Sequence, residues 1–588
     1  MCGIAAIAGT NFNKNRYKTE AMLKTLERRG QDGAGEETFN HCWLGHRRLA
    51  IVDLKKGNQP MRDAKLTITF NGEIYNHQKI RSILEKEGHS FRTKSDTETV
   101  LKAYRKWGNE CPKHLDGMFS FAIWDDDQNE MFIARDRLGK KPLYYFFDGD
   151  TILFASEIKS LLASGVLTPQ IDYKAIDNYL RLMYVPTWKS IYKNVHQIPP
   201  AHCGTFNNGK LTLERYWKLT HQPINIAYED AKTEVHRMLR EAVKKRLVSS
   251  DVEVGAFLSG GLDSSLVTLI AANELNSRLK TFSVSYGGDF DEISYAKQVC
   301  EKIGGEHFIV GINENMTVEL DELIAYFDEP HADTSDFAQH LISRLAARNV
   351  KTVLSGDGSD EYFLGYKWHM QNKNLDVDRN LSIRRDSDLF HERLYSRCAF
   401  TAQKREELWC SQTNINDDVL AEGVYTEECN PIERVTLFDL TSHLPGQILT
   451  KIDRAGMMHG LEVRSPFLDT NLIEFVFNLP YEYKVRNGEH KFILKHILSE
   501  YMPSDFTYRR KQGFGAPIER WLLNYSMKIY VYEKLGPGAR LRSIFSGKYI
   551  NECLCDFYDT DRRHERAAQR LWVLLCLERW LAQISLII

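Results

Sequence analysis

The pattern of hydrophobic and polar positions divides the chain into two parts. Up to about Phe206, short apolar or alternating runs separated by turn signals predict β-strands, with amphipathic helices such as QKIRSILEKEG between them. The strand candidates are MCGIAAIAG, LTITFNG, MFSFAIW and TILFASE. An Asn-Gly turn signal and a proline follow in FNNGKLTLERYWKLTHQPIN, after which long amphipathic helices begin. We therefore predict a first domain over residues 2–208 and a second over residues 229–588.

In the second part, buried-strand candidates alternate with helices from Asp251 onward. The successive segments are VEVGAFL, SSLVTLIAANEL, TFSVSY, EISYAKQVCEKIG, HFIVGI, LISRLAARN and KTVLSG. This alternation predicts a doubly wound parallel α/β sheet, whose ligands bind at the carboxyl ends of the strands. Beyond Tyr366 the pattern is mostly helical, and residues 376–388 form a charged segment expected at the surface.

Composition narrows the class of function. A chain of 588 residues exceeds one hydrophobic core, which agrees with two domains. With 77 basic and 79 acidic residues there is no net field to attract nucleic acid or a membrane, so we expect small-molecule substrates. The eleven cysteines form no zinc or dithiol spacing, and the sequence contains neither a signal peptide nor an apolar span. These features predict a cytoplasmic protein, for which a homodimer is one candidate assembly.

The first candidate site begins at Cys2. Removal of Met1 would place a thiol and a free α-amine on the same residue, and an α-amine has a pKa of roughly 7.7–8.0, so it can accept the thiol proton. Taken alone, a cysteine in this position is more often a small hydrophobic residue.

Other residues of the first part match what an amino acid with a side-chain amide needs. Arg48 offers a fork for an α-carboxylate, and Glu73 and Asp96 offer negative charge for an α-ammonium. Asn71 and the backbone N–H of Gly72 could hold an oxyanion. Singly, each has a plainer interpretation, such as a turn, a helix cap or a surface ion pair.

The second candidate site is the loop in VEVGAFLSGGLDSSLVTLI, between a strand and a helix. Ser259, Gly260, Gly261 and Ser264 would present small side chains and backbone N–H groups to a phosphate chain at a helix N-terminus. The loop lacks the lysine of a Walker A motif, which disfavours kinase-like chemistry. Asp263 within it suits Mg²⁺ between protein and phosphate.

An acidic cluster follows the strand candidate KTVL. Asp357, Asp360 and Glu361 crowd its carboxyl end, an arrangement typical of metal binding or general-base chemistry, although a solvated acidic turn would look the same.

A family resemblance combines these observations for the first domain. MCGI, RRGQDGAGE, HRRLAIVDL, FNGEIYNH, SDTETVL, LDGMFSFAIWD, RDRLGKKPLYY and ASEIKSL resemble, in this order, the glutaminase domain of N-terminal-nucleophile amidotransferases. The resemblance implies a four-layer αββα domain of α+β class, with Cys2 as nucleophile, Arg48, Asn71, Glu73 and Asp96 at the glutamine, and Asn71 with Gly72 as the oxyanion hole. Arg28 and Gln31 depart from the RHRGPD motif of asparagine synthetases.

The second domain is similar to ATP pyrophosphatases and, within them, to asparagine synthetases. SGGLDSS carries the first resemblance, and SGDGSDE, KIDRAGMMHGLEVRSPFLD, GEHKFILKHIL, KQGFGAPIERW and RLWVLLCLERWL carry the second. It implies an α/β synthetase domain with many C-terminal helices. The implied nucleotide site contains Leu258, Ser259, Gly260, Gly261, Asp263, Ser264, Val284, Ser355 and Gly356, with Mg²⁺ on Asp263 and Asp360. The implied acceptor and activation residues are Glu361, Arg454, Arg464, Lys491 at the α-phosphate or pyrophosphate, and Asp357 for ammonia.

The resemblance implies a glutamine-dependent asparagine synthetase that uses MgATP to activate aspartate. His331, Thr334 and Asp336 stand where many relatives have DEPFADPSA, and Ser465 replaces a usual valine. An amidotransferase acting on another carboxylate, such as a sugar uronate or a biosynthetic peptide, is therefore the alternative. A binding protein without catalysis is disfavoured, because neither the nucleophile nor the phosphate loop is missing.

Overall fold

The computed structural model describes residues 1–275, 277–287, 291–312, 316–371, 398–410, 431–509, 516–564 and 566–587. The segment 376–388, expected at the surface, lies outside these ranges. The strands are β1 Gly3–Gly9, β2 Gly33–Thr38, β3 Cys42–Arg48, β4 Met61–Asp63, β5 Leu66–Ile74, β6 Gly117–Asp125, β7 Glu130–Arg135, β8 Tyr144–Asp148, β9 Thr151–Ala155, β10 Val195–Gln197, β11 His202–Asn207, β12 Lys210–Arg215, β13 Val254–Phe257, β14 Lys280–Ser285, β15 Glu306–Gly311, β16 Thr352–Leu354, β17 Glu462–Arg464, β18 Val485–Arg486 and β19 Glu489–His490.

The helices that precede β16 are α1 Thr19–Thr25, α2 His77–Lys86, α3 Asp96–Trp107, α4 Cys111–His114, α5 Ile158–Leu162, α6 Tyr173–Leu182, α7 Tyr228–Val248, α8 Leu262–Glu274, α9 Ile293–Ile303, α10 Met316–Tyr326 and α11 Asp336–Ala347. Those that follow are α12 Lys367–Gln371, α13 Ala402–Leu408, α14 Pro431–Phe438, α15 Thr450–Met457, α16 Thr470–Phe477, α17 Tyr481–Lys484, α18 Phe492–Leu498, α19 Ser504–Thr507, α20 Ile518–Leu523, α21 Tyr525–Lys534, α22 Gly547–Tyr558 and α23 Ala567–Ile587, with a π-helical segment at Asp439–Leu449.

The first part folds into four layers. Two six-stranded sheets, in the orders β10-β8-β9-β1-β3-β2 and β12-β11-β7-β6-β5-β4, face each other, and all their pairings are antiparallel. Apolar residues of both sheets, such as Ile4 and Trp124, share one core between them. Outside it, α2 and α3 pack on the second sheet, while α1, α5 and α6 pack on the first. The four-layer αββα prediction is confirmed.

The second part contains a five-stranded parallel sheet in the order β15-β14-β13-β16-β17. The chain runs outward from β13 to β15 and then returns to the other side of β13 at β16, so the strand order reverses between β13 and β16. Ligands of doubly wound sheets bind in the crevice at such a reversal. This confirms the predicted α/β sheet and places its switch point between the two loops singled out in the sequence.

One strand of this parallel sheet was not predicted. β17 has three residues, Glu462–Arg464, and all are buried. So short a run carries no periodic signal, and its backbone pairing with β16 is what makes it a strand. The rest of the described second part is mostly helical, as expected, apart from the short hairpin β18-β19. None of its described helices combines the length and apolar character needed to cross a membrane.

Candidate active sites

Cys2 lies at the start of β1, where the first sheet meets the second domain. Its backbone nitrogen donates a hydrogen bond to Asn71 Oδ1 at 3.1 Å, and its carbonyl accepts one from Arg29 Nε at 3.0 Å. The side chain is buried, and burial raises the pKa of the thiol. A nitrogen anchored in this way would, as a free α-amine, lie on the same residue as the thiol it must deprotonate.

Asn71 is bonded through only one end of its amide. Its Nδ2 is buried and has no hydrogen-bond partner among the described residues. Gly72 follows, and a β-carbon there would lie 2.1 Å from the Met118 carbonyl oxygen, so only glycine fits. A buried, unengaged N–H donor next to a nucleophile can stabilise a developing oxyanion.

Two carboxylates lie on or against β5, the strand that carries Asn71. Glu73 and Asp96 are both buried, and Asp96 accepts a hydrogen bond from the Ile74 N–H at 3.0 Å. Burial raises the pKa of Asp96 to about 6, and burial together with Asp96 raises the pKa of Glu73 well above its usual range. An ammonium group between them would favour the ionised form of both.

Arg48 lies at the end of β3 and organises the loop after it. Its two terminal nitrogens donate to the carbonyls of Val52, Asp53 and Leu54 and to Asn58 Oδ1, at 2.7–3.2 Å. The predicted contact of Arg48 with a glutamine carboxylate stays a prediction; in the structure its fork holds residues 52–58.

The predicted phosphate loop connects β13 to α8. Ser259 and Ser264 bond to each other through their hydroxyls at 2.9 Å, and the Gly261 N–H donates to Ser259 Oγ at 3.1 Å. Gly260 has φ +83°, and a β-carbon there would lie 2.8 Å from the Ala296 nitrogen. The loop is therefore a tight turn that leads into the N-terminus of a 13-residue helix.

The two loops at the switch point are in contact. A β-carbon at Gly356 would lie 2.6 Å from the Ser264 nitrogen, so the loop after β16 packs directly on the first turn of α8. Leu258 and Val284 are buried at the ends of β13 and β14. Ser355 donates a hydrogen bond to Asp357, whose pKa burial raises.

Lys491 connects the acidic residues of both loops. Its ammonium lies 2.7 Å from Asp263 Oδ2, from Asp360 Oδ1 and from Ser359 Oγ. Burial opposes its charge, but Asp263 and Asp360 outweigh burial and raise the pKa of Lys491. The resemblance assigned Asp263 and Asp360 to a metal ion and Lys491 to the α-phosphate or pyrophosphate, and the structure brings the three residues together.

The same residues bear on the predicted Mg²⁺. Asp263 Oδ1 is buried and has no hydrogen-bond partner in the described part of the chain, which fits a cation ligand. Among the described residues, no cluster of three or more His, Cys, Asp or Glu side chains is preformed for a metal. The donor set therefore fits Mg²⁺ held jointly by Asp263, Asp360 and substrate phosphates, the usual manner for this ion.

Glu361 lies deeper in the same crevice. Tyr366 donates a hydrogen bond to Glu361 Oε1 at 2.7 Å, and Oε2 is buried without a partner among the described residues. Burial and then Asp360 raise the pKa of Glu361 to about 8. The carboxyl group can exchange a proton near neutral pH, which is what a general acid or base requires.

Two arginines that the sequence assigned to the acceptor lie in the domain interface instead of beside Lys491. Arg454 pairs with Glu157 at 2.7 Å and with Asp328 at 3.2 Å. Arg464 pairs with Glu73 at 3.1 Å and with Glu462 at 2.6 Å. Their contact with an acceptor stays a prediction.

Sequence reasoning missed several interface groups. Arg29 binds the Cys2 carbonyl and also pairs with Asp453 at 2.7 Å and Glu157 at 3.0 Å, fully buried. The Met1 amine lies 3.4 Å from Glu462 Oε2. No short-range pattern marks these pairs, because Arg29 and Asp453 are 424 residues apart in sequence.

Comparisons with known proteins bear on which family the chain belongs to. The family model of asparagine synthase matches residues 234–582, and that of the glutamine amidotransferase domain matches residues 1–217. The chain is 32% identical over 549 residues to asparagine synthetase [glutamine-hydrolyzing] 3 of Bacillus subtilis (strain 168), with 87% of each chain covered. It is 30% identical to asparagine synthetase [glutamine-hydrolyzing] 1 of the same organism, covering 89% of this chain and 88% of that one. It is 38% identical to putative asparagine synthetase [glutamine-hydrolyzing] 2 of Methanocaldococcus jannaschii, covering 65% and 78%. The chain therefore belongs to the asparagine synthase family and carries a glutamine amidotransferase domain in residues 1–217.

Proposed function

We propose that this chain is a glutamine-dependent asparagine synthetase, a ligase that forms asparagine from aspartate at the expense of ATP. The observation that carries the proposal is that a cysteine anchored on Asn71 and a phosphate-type loop at a sheet switch point occur in one chain, joined by buried contacts between the domains. The relatives named asparagine synthetase supply aspartate as the default acceptor.

The proposed glutaminase step uses residues of the first domain. With Met1 removed, the Cys2 α-amine takes the thiol proton, and the thiolate attacks the side-chain amide of glutamine. Asn71 Nδ2 and the Gly72 N–H bind the oxyanion, while Glu73 and Asp96 bind the α-ammonium. The thioester that forms releases ammonia, and water then releases glutamate.

The proposed synthetase step uses the crevice between β13 and β16. The acceptor carboxylate attacks the α-phosphate of ATP, which gives an acyl-adenylate and pyrophosphate. The residues 259–264 and Lys491 hold the phosphates, and Mg²⁺ held by Asp263 and Asp360 would neutralise their charge. Glu361 accepts a proton as ammonia displaces AMP. Ammonia must arrive unprotonated, which favours a route that excludes water.

A direct test is to incubate the protein with ATP, glutamine and aspartate. We expect asparagine, glutamate, AMP and pyrophosphate in equal amounts. Replacing Cys2 with alanine should abolish the use of glutamine while ammonium salts still support synthesis. If both activities disappeared together in a folded variant, the proposed division between the domains would be wrong.

The alternative is the same chemistry on another carboxylate. It is supported by a buried pair, His331 Nδ1 and Asp336 Oδ2 at 2.7 Å, at positions where the resemblance expects different residues. Close to it, Lys451 lies 3.2 Å from Asp333 and lowers the pKa of the neighbouring Asp357, opposing the effect of burial. A screen of pyrophosphate release over aspartate, sugar uronates and short peptides separates the two candidates. Pyrophosphate release with aspartate and with none of the other carboxylates supports asparagine synthesis. Pyrophosphate release with another carboxylate but not with aspartate supports the alternative.

A further inference from the structure

Arg464 belongs to the second domain, but its guanidinium group is committed to the interface with the first. Nε donates to Glu462 Oε1 at 2.6 Å, and Nη1 donates to the Arg246 carbonyl at 2.6 Å and to Ser249 Oγ at 2.8 Å. Nη2 donates to Glu73 Oε2 at 3.1 Å and to the Ser249 carbonyl at 3.4 Å. An arginine has five N–H donors, so every one of them is engaged here, and the side chain is fully buried. An acceptor carboxylate could bind Arg464 only by displacing one of these partners.

Glu73, the partner of Arg464 in the first domain, is only half satisfied. Arg464 occupies Oε2, while Oε1 is buried and has no partner among the described residues. Residues two apart on a strand point to the same face, so Glu73 shares one face of β5 with Asn71, which binds the Cys2 nitrogen. The open carboxylate oxygen therefore lies on the side of the sheet that carries the nucleophile.

The electrostatic surroundings of Glu73 make this contact important. Burial and the neighbouring Asp96 raise the pKa of Glu73, with a smaller effect from Glu462. Arg464 is the largest opposing influence, followed by the Met1 amine. A buried carboxyl group without a cationic partner tends to take up a proton, and a neutral carboxyl group binds an ammonium ion poorly.

We propose that Arg464 is a positioning residue of the glutamine site, which the second domain supplies, and that it holds Glu73 ionised and oriented for the α-ammonium of glutamine. This inference rests on the proposed function in one respect, namely that glutamine is the amide donor. The Arg464 carbonyl accepts a hydrogen bond from the Ser355 N–H at 2.9 Å. The residue that orients Glu73 is thus one backbone hydrogen bond away from the loop predicted to bind the nucleotide.

The test compares glutamine-driven with ammonia-driven turnover in Arg464→Gln and Arg464→Lys. We expect the KM for glutamine in glutamate release to rise about tenfold to hundredfold in Arg464→Gln, because a buried charge pair loses one partner. Arg464→Lys keeps the charge and should lose less. The ratio of ammonia-driven to glutamine-driven synthesis should rise by about tenfold or more in Arg464→Gln. Arg28→Met is the matched control: it breaks an exposed interdomain pair, Arg28 with Glu322 at 3.0 Å, and should leave both activities as they are.

Two further measurements separate positioning from a general structural role. In Arg464→Gln the KM for glutamine should fall as the pH is raised from about 7 to about 8.5, more than in the unaltered protein, since Glu73 then ionises only at higher pH. The other charged groups facing Glu73 are Asp96, Glu462 and the terminal amine, and the same pH series on Asp96→Asn controls for the one that affects Glu73 most. In a Glu73→Gln background, Arg464→Gln should add little, because both substitutions remove the same interaction.

Equal losses of glutamine-driven and ammonia-driven synthesis would overturn the proposal, as would additive effects of the two substitutions. If Arg464→Gln failed to fold, Arg464→Lys would carry the comparison. Glutamate release is measured without any acceptor, so the result does not depend on whether aspartate is the substrate. An unaltered protein that released no glutamate would instead contradict the proposed function itself.

Discussion

Asn71→Asp is the substitution that tests the glutamine site most sharply. Asn71 Oδ1 anchors the Cys2 nitrogen at 3.1 Å, and Nδ2 is buried and unengaged among the described residues. Aspartate has nearly the same shape, so the anchor is retained, while the NH₂ group, which carries both N–H donors of the side chain, is replaced by an oxygen. Removing one oxyanion donor costs about 2.7–4 kcal/mol, or about 10²–10³ in kcat. A negative charge facing the oxyanion adds to this loss, so we expect at least that factor for glutamine hydrolysis.

The assay is glutamate release at saturating glutamine, with ammonium-driven pyrophosphate release as the internal reference. Asn129→Asp is a matched control, because it introduces the same charge at an exposed turn between β6 and β7. Ammonia-driven release should be retained in both variants. Glutamate release by Asn71→Asp within about tenfold of the unaltered protein would refute the oxyanion assignment. A parallel loss of ammonia-driven release would mean that the substitution disturbs the fold.

Three other predictions concern the second domain and the interface. Lys491→Met should lower pyrophosphate release by about 10² or more while glutamine hydrolysis continues, because the phosphates and the carboxylates of Asp263 and Asp360 all lose the Lys491 ammonium group. Tyr366→Phe should move the pH profile of ammonia-driven synthesis to higher pH, because the Tyr366 hydrogen bond lowers the pKa of Glu361, which burial raises to about 8; an unchanged profile would contradict this. Asp453→Asn should destabilise the protein to urea by about 3–5 kcal/mol at pH 7, since Arg29 stays buried with one partner fewer. Burial alone would raise the pKa of Asp453, but Arg29 lowers it below its unfolded value. The stability that ionised Asp453 contributes is therefore present above about pH 4 and is lost as the pH falls through its folded-state pKa. The difference in stability between the variant and the unaltered protein should shrink below about pH 4.

The sequence predicted the elements whose signals are local. The alternation around β5 and β6, and the strand, loop and helix of β13 to α8, can be read from spacing alone, because each repeats over several residues. That Asp263 and Asp360 lie close together could also be predicted, since the strand ends of one parallel sheet meet at one edge. Lys491 follows no strand of that sheet, and only the family resemblance assigned it to the phosphates.

The roles of the interface residues could not be predicted in the same way. Arg464 lies in the segment LEVRSPFLD, which resembles the family motif but does not predict which groups the guanidinium contacts. Its contact with Glu73 spans 391 residues of sequence and depends on how two separately recognisable domains dock. A sequence motif specifies residue types that are close together along the chain. Which charged side chains form pairs across the interface depends instead on how the two domains dock.

That distinction bears on how the two reactions are linked. Arg29 joins the Cys2 carbonyl to Asp453 in α15, and Arg464 joins Glu73 to β17, which pairs with β16 before the loop proposed to bind the nucleotide. Each arginine is buried and needs carboxylates from both domains to offset the cost of its desolvation. The charged groups around Cys2 and Glu73 therefore depend on contacts that both domains supply. A glutamine site built in this way would be fully formed only when the synthetase domain is docked.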